Sequence, residues 1–149
     1  MDKLRRLILR GAGVVAAGLL APLDALGATW NKEAFGAKTP ADALKSLGVA
    51  GAQPSKDLLI EAPQIAENGA VVPIEIESRI PGTTSLTVLI EKNPFPLNSR
   101  FTFLEGALPF VKLNVKMGET SEVRVLAQAG GRYYAASQEI KVTIGGCGG

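Results

Sequence analysis

The chain of 149 residues has no histidine and a single cysteine. Lack of histidine removes the commonest general base, the usual partner of a catalytic Ser or Cys, and the commonest metal ligand. One cysteine permits neither an internal disulfide nor a Cys-rich zinc site, and no C-x-x-C pair is present to support thiol oxidoreduction. These absences argue against a self-sufficient hydrolase or metalloenzyme, and no cofactor is expected. Long apolar runs are also missing. Residues 11–20 form a run of Gly, Ala, Val and Leu, interrupted soon after by Pro22 and Asp24. That is shorter than the about 20 residues needed to cross a bilayer.

This short run belongs to a leader. It follows a basic start (Lys3, Arg5, Arg6, Arg10) and precedes the small-residue stretch Ala25-Leu26-Gly27-Ala28. A basic start, a short apolar core and small residues before the cut form a secretory signal, with cleavage expected after Gly27. Arg5-Arg6 followed by Leu7-Ile8 points to twin-arginine export of a folded protein. Leu4 stands where Ser or Thr usually precedes the pair, and the general secretory route is the alternative. Either route delivers the chain to the periplasm. Residues 1–27 hold four of the 16 basic and two of the 14 acidic groups, leaving twelve of each sign in the mature chain. No Lys/Arg cluster remains, so neither nucleic acid nor a membrane surface is an expected partner.

Residues 28–56 read as a short helical segment. Thr39 suits a helix cap, Pro40 the first helical position and Asp42 the positive end of the dipole. Leu44 and Leu47 share a face, and Gly48 supplies the stop. Trp30, Ala34 and Phe35 suggest an earlier helical turn. From Leu58 the apolar period changes to two. Val72, Ile74 and Ile76 alternate with Glu75 and Glu77, and Leu86, Val88 and Ile90 with Thr87 and Glu91. The same pattern recurs at Phe101 and Phe103, at Val111, Leu113 and Val115, at Val123, Val125 and Ala127, and at Ile140, Val142 and Ile144. Each run predicts a half-buried strand. Turn signals fall between them: Glu67-Asn68-Gly69, Pro81-Gly82, Asn93-Pro94 through Pro96, Met117-Gly118 and Gly130-Gly131. Six to eight such strands predict an all-β fold, an immunoglobulin-like antiparallel β-sandwich over residues 57–144, with a small barrel as the alternative. Phe95, Leu97, Leu104, Leu108 and Phe110 are candidates for a partner surface, although core packing is expected for most of them.

The last strand runs into Gly145-Gly146-Cys147-Gly148-Gly149. Four glycines around one cysteine leave almost no side-chain bulk and maximal backbone freedom, so residues 145–149 are expected to form a flexible arm. Such a thread suits presentation of a thiol inside a narrow channel of another protein. No Lys or Arg flanks Cys147 to stabilise its thiolate. Activation is therefore expected from a partner, with Cys147 a covalent attachment point and not a catalyst. An intermolecular disulfide is the main competing use of the thiol. Lipidation fails on position, because a prenylated Cys needs three residues after it and here there are two.

Lys141-Val142-Thr143-Ile144 leading into this tail resembles the carrier subunit family SoxY of the bacterial sulfur-oxidising (Sox) system. The resemblance extends to the twin-arginine-like leader, to the turn Glu91-Lys92-Asn93-Pro94-Phe95-Pro96, and to the length. It implies a heterodimer with a second immunoglobulin-like subunit, SoxZ, and pathway intermediates carried on Cys147. It also implies a set of enzymatic partners. A haem cytochrome c couples thiosulfate to the thiol, a manganese-dependent hydrolase releases sulfate, and a molybdenum sulfur dehydrogenase with its cytochrome oxidises the remaining sulfane sulfur. The carrier itself is not an enzyme in this scheme.

Overall fold

Among the described residues, two short helices lead into the strands. In helix α1 (Lys32–Gly36) the Asn31 side chain caps the start, accepting from the Ala34 N–H at 2.9 Å. Helix α2 (Pro40–Ser46) begins as its sequence predicts. The Thr39 hydroxyl accepts from the Asp42 N–H (3.1 Å) and donates to the Asp42 carboxylate (2.7 Å), while Pro40 has no N–H to satisfy. Gly48, at φ +72°, ends α2: its N–H reaches the Lys45 carbonyl at 3.0 Å, and Val49 N–H reaches the Leu44 carbonyl at 2.9 Å. This paired closure needs a left-handed residue, which glycine adopts without a Cβ clash. The coordinates are a computed structural model describing residues 30–144. The leader expected at 1–27 and the arm at 145–149, with Cys147, lie outside the described residues.

Nine strands follow: β1 (Gln53–Pro54), β2 (Leu58–Glu61), β3 (Ile65–Ala66), β4 (Val72–Ser78), β5 (Thr83–Ile90), β6 (Leu97–Thr102), β7 (Phe110–Val115), β8 (Ser121–Ala129) and β9 (Arg132–Val142). One sheet has the order β1-β9-β8-β5-β6, with β3 also on β9; the other is β2-β4-β7. The fold is the all-β, immunoglobulin-like sandwich that the alternation predicts. The main ladders are antiparallel, but the two-residue strands β1 and β3 run parallel to β9. Gly130 and Gly131, both at positive φ (56° and 74°), close the β8–β9 hairpin between the paired Ala129 and Arg132. Two successive positive-φ residues give the turn whose twist matches that of its strands.

The main core lies between the sheets. Val72, Ile74 and Ile76 of β4 pack with Leu86, Val88 and Ile90 of β5, Val123 and Val125 of β8, and Ile140 of β9. A second cluster lies on the outer face of the larger sheet, where Leu89, Leu97 and Leu126 meet Ala34 and Ala43 of the helices. Strand β5 is consequently buried on both faces from Ser85 to Ile90. The half-buried strand expected there is corrected: on the face that Thr87 suggested would be wet, the helical segment packs over Leu89, while Ser85 is bonded to the Gln128 side chain. On the exposed face of the smaller sheet, Glu75 and Lys112 stand opposite each other and are ion-paired, which raises the Lys112 pKa.

Strand direction sorts the turns into two ends. The connections after β3, β5 and β7 gather where β9 finishes, and those after β4, β6 and β8 gather at the opposite end.

Candidate functional site: the root of the C-terminal tail

Strand β9 ends at Val142, and Thr143 and Ile144 lead to the tail. This root is held from both sides. Val142 N–H donates to the Thr120 hydroxyl at 2.9 Å. Thr143 N–H donates to the Ala66 carbonyl (3.1 Å), and its hydroxyl donates to the Glu67 carbonyl (3.0 Å). The Ile144 carbonyl accepts from Gly69 N–H at 2.8 Å, and the Gly69 carbonyl accepts from Met117 N–H at 2.7 Å. The 67–71 loop is itself shaped by Asn68, whose side-chain oxygen accepts from Ala70 N–H at 2.8 Å.

Asn93 joins the third loop to this group. Its amide donates to the Lys116 carbonyl (2.7 Å), and its side-chain oxygen accepts from Gly118 N–H (3.1 Å). Lys92 N–H donates to the Ser121 hydroxyl at 3.1 Å. The root therefore belongs to a network running from β9 through Gly69 and Met117 to Asn93. Sequence reasoning recognised Gly69 and Asn93 as turn residues but not as links, because their partners are distant in the chain. It did not single out Thr120, which carries no local signal.

Ile144 departs from its expected place. The alternation Ile140, Val142, Ile144 predicts an inward side chain, yet Ile144 lies beyond β9 and is exposed, whereas Ile140 is buried. Of the five partner-surface candidates, only Leu97 joins a core cluster. Phe95 is half-exposed with the Lys38 ammonium 3.5 Å from its ring centroid, a cation–π contact. Leu104 and Leu108 are 82% and 84% exposed, and Phe110 is half-exposed, all at the end opposite the tail. The expectation of core packing for most of them is thus reversed. The connection over residues 103–109 crosses from one sheet to the other, and residues 104–108 are exposed among the described residues.

The described residues offer a fixed anchor and no assembled reactive centre. No group of three or more His, Cys, Asp or Glu among them could hold a metal. No helix among them is long and apolar enough to cross a membrane. Cys147, Gly145, Gly146, Gly148 and Gly149 all lie beyond the described root.

Comparison with known proteins adds what this geometry alone does not carry. A family model described as "Sulfur oxidation protein SoxY" matches residues 44–147, from within α2 to Cys147 itself. The chain belongs to the SoxY family. It is similar to the solved structure of the sulfur carrier protein SoxY from Chlorobium limicola f thiosulfatophilum. The two are 39% identical, with a TM-score of 0.62 over 68% of this chain and 92% of that one. A second solved structure, described as the structural basis of T cell specificity and activation by the bacterial superantigen toxic shock syndrome toxin-1, is 14% identical. Its TM-score is 0.42, over 57% of this chain and 98% of that one, and so weak a likeness carries no argument. No curated protein matches the chain. The family is the one that the tail motif and the 91–96 turn of this SoxY-family chain suggest, and it places the chain among sulfur-oxidation proteins within the Sox system.

Proposed function

We propose that this chain is a periplasmic sulfur carrier that holds the intermediates of thiosulfate oxidation covalently on Cys147 and presents them to separate enzymes. The supporting observation is the join between a root tied into three loops and a Gly-Gly-Cys-Gly-Gly tail that begins at the next residue. A fixed root defines where the thiol is offered, and glycines on both sides keep the thread narrow enough to enter a partner.

The steps proposed are those that the resemblance to Sox carriers implies for a thiol without local activation. A haem cytochrome takes the thiol proton and an electron pair as an S–S bond forms between Cys147 Sγ and the sulfane sulfur of thiosulfate. A manganese-dependent hydrolase then directs water at the terminal sulfonate, breaking its bond to the sulfane sulfur. Sulfate leaves, and a persulfide stays on Cys147. A molybdenum sulfur dehydrogenase oxidises that outer sulfur to the sulfonate, taking three oxygens from water and passing six electrons to its cytochrome, and a second hydrolysis releases sulfate and returns the free thiol. The chain contributes attachment and delivery in each step, and its partners contribute base, metal and oxidant. A SoxZ-like subunit is the proposed heterodimer partner. The leader, through twin-arginine export, is the proposed route to the periplasm.

Deleting residues 145–149 tests this reading. Thiosulfate-dependent electron flow to the cytochrome should be lost, while the thermal transition of the truncated chain stays that of the full mature chain. Retained flow would contradict the carrier role.

A further inference from the structure

An asparagine side-chain amide can be attacked by the main-chain nitrogen of the residue that follows it. The attack is fastest where that residue is glycine, which has no Cβ to crowd the approach. The chain holds five asparagines, and only Asn68 precedes a glycine. Asn93 precedes Pro94, which has no N–H to lose. Asn98 and Asn114 lie within strands β6 and β7, and Asn31 caps helix α1. Asn68–Gly69 is therefore the one place where sequence and local structure both favour this reaction.

Asn68 is exposed and Gly69 is buried. The Asn68 side-chain oxygen accepts from the Ala70 N–H at 2.8 Å, which folds the amide forward across Gly69. The same bond draws electron density from the amide carbonyl and would steady the charge that builds on its oxygen during attack. The electrophile is thus in place, but the nucleophile is held back. Gly69 N–H donates to the Ile144 carbonyl at 2.8 Å, and the Gly69 carbonyl accepts from Met117 N–H at 2.7 Å. The Gly69 nitrogen must give up Ile144 before it can turn onto the side-chain carbon.

We propose that Asn68–Gly69 is a site of spontaneous deamidation, gated by the hydrogen bond from Gly69 to Ile144. When that bond opens, the Gly69 nitrogen loses its proton to solvent and attacks Asn68 Cγ. A new C–N bond closes a five-membered imide, and the side-chain nitrogen takes up a proton and leaves as ammonia. Water then opens the imide at either carbonyl, giving aspartate or isoaspartate. No electrons are transferred; an oxygen from water and a negative charge replace the amide nitrogen. Isoaspartate routes the main chain through the side-chain carbon and lengthens it by one atom. Gly69 can then no longer meet both Ile144 and Met117, and the link from β9 to the Met117 turn is cut. The proposal does not depend on what Cys147 carries.

The test incubates the full mature chain in mildly alkaline buffer beside a chain ending at Thr143 and a blocked Glu-Asn-Gly-Ala peptide. Peptide mapping with enzymatic methylation of isoaspartate follows the product at position 68. The gate predicts that the full chain reacts at least about tenfold more slowly than the peptide, because reaction waits on local opening. The chain ending at Thr143, which lacks the Ile144 acceptor, should react about two- to tenfold faster than the full chain, the effect of one lost hydrogen bond. A second measurement needs no variant. In the intact chain, hydrogen exchange of the Gly69 amide should be slowed by the same factor as its deamidation. A full chain as fast as the peptide, or unequal factors, would overturn the gate. Product at other asparagines but none at Asn68 would overturn the site. In the purified isoaspartyl form the Met117 amide should exchange faster than in the unmodified chain, and unchanged exchange would overturn the loss of the link.

Discussion

At the scale of single residues, the root depends on side chains whose partners lie far away in sequence. Asn93 bonds main-chain groups 23 and 25 residues further on. Asn93→Ala removes both bonds and leaves a donor and an acceptor to water. At about 0.5–1.5 kcal/mol net per bond, stability should fall by about 1–3 kcal/mol. The urea midpoint should drop with its slope unchanged, and an unmoved midpoint would show that the link is dispensable. The Asn-Pro pair makes the turn legible in the sequence, because Asn and Pro favour turn backbone. What the turn is tied to was not legible, since no local pattern encodes a contact to Lys116 or Gly118. The same limit explains Leu89 and Leu97, whose burial depends on the helices arriving from the other end of the chain.

At the scale of elements, legibility followed the strength of local signals. Helix α2 could be read from Thr39, Pro40 and Gly48 because cap chemistry is local. Strand β9 could be read only near its end. Residues 133–139, Tyr-Tyr-Ala-Ala-Ser-Gln-Glu, do not alternate, and their strand exists through continuous pairing with β8. Strands β1 and β3, two residues each, are defined by β9 and carry no pattern of their own. The 103–109 connection is the element that most departs from expectation, since its leucines are exposed. If it contacts the SoxZ-like subunit, replacing Leu108 and Phe110 by Ser should weaken heterodimer formation at least tenfold, about 1.4 kcal/mol. Titration calorimetry measures this directly. Unchanged association would place the interface elsewhere, and the exposure of both residues predicts an almost unchanged thermal transition in either case.

At the scale of the whole molecule, the two ends of the sandwich differ in character. One end holds the root of the tail within a hydrogen-bonded set of loops, and the other presents exposed leucines on the 103–109 connection. In the proposed carrier, the first end delivers sulfur to enzymes while the second remains free to be held by a companion subunit. The two-sheet fold was legible because alternation and turn chemistry agree along the chain, and the family because of the tail motif and the 91–96 turn. The central claim concerns Cys147. Intact-mass spectrometry of the mature protein, after incubation with thiosulfate and the pathway's cytochrome, tests it most directly. The account predicts a mass increase of one bound thiosulfonate that is absent in Cys147→Ser. An unmodified thiol, or only the mass of a disulfide-linked dimer, would contradict it.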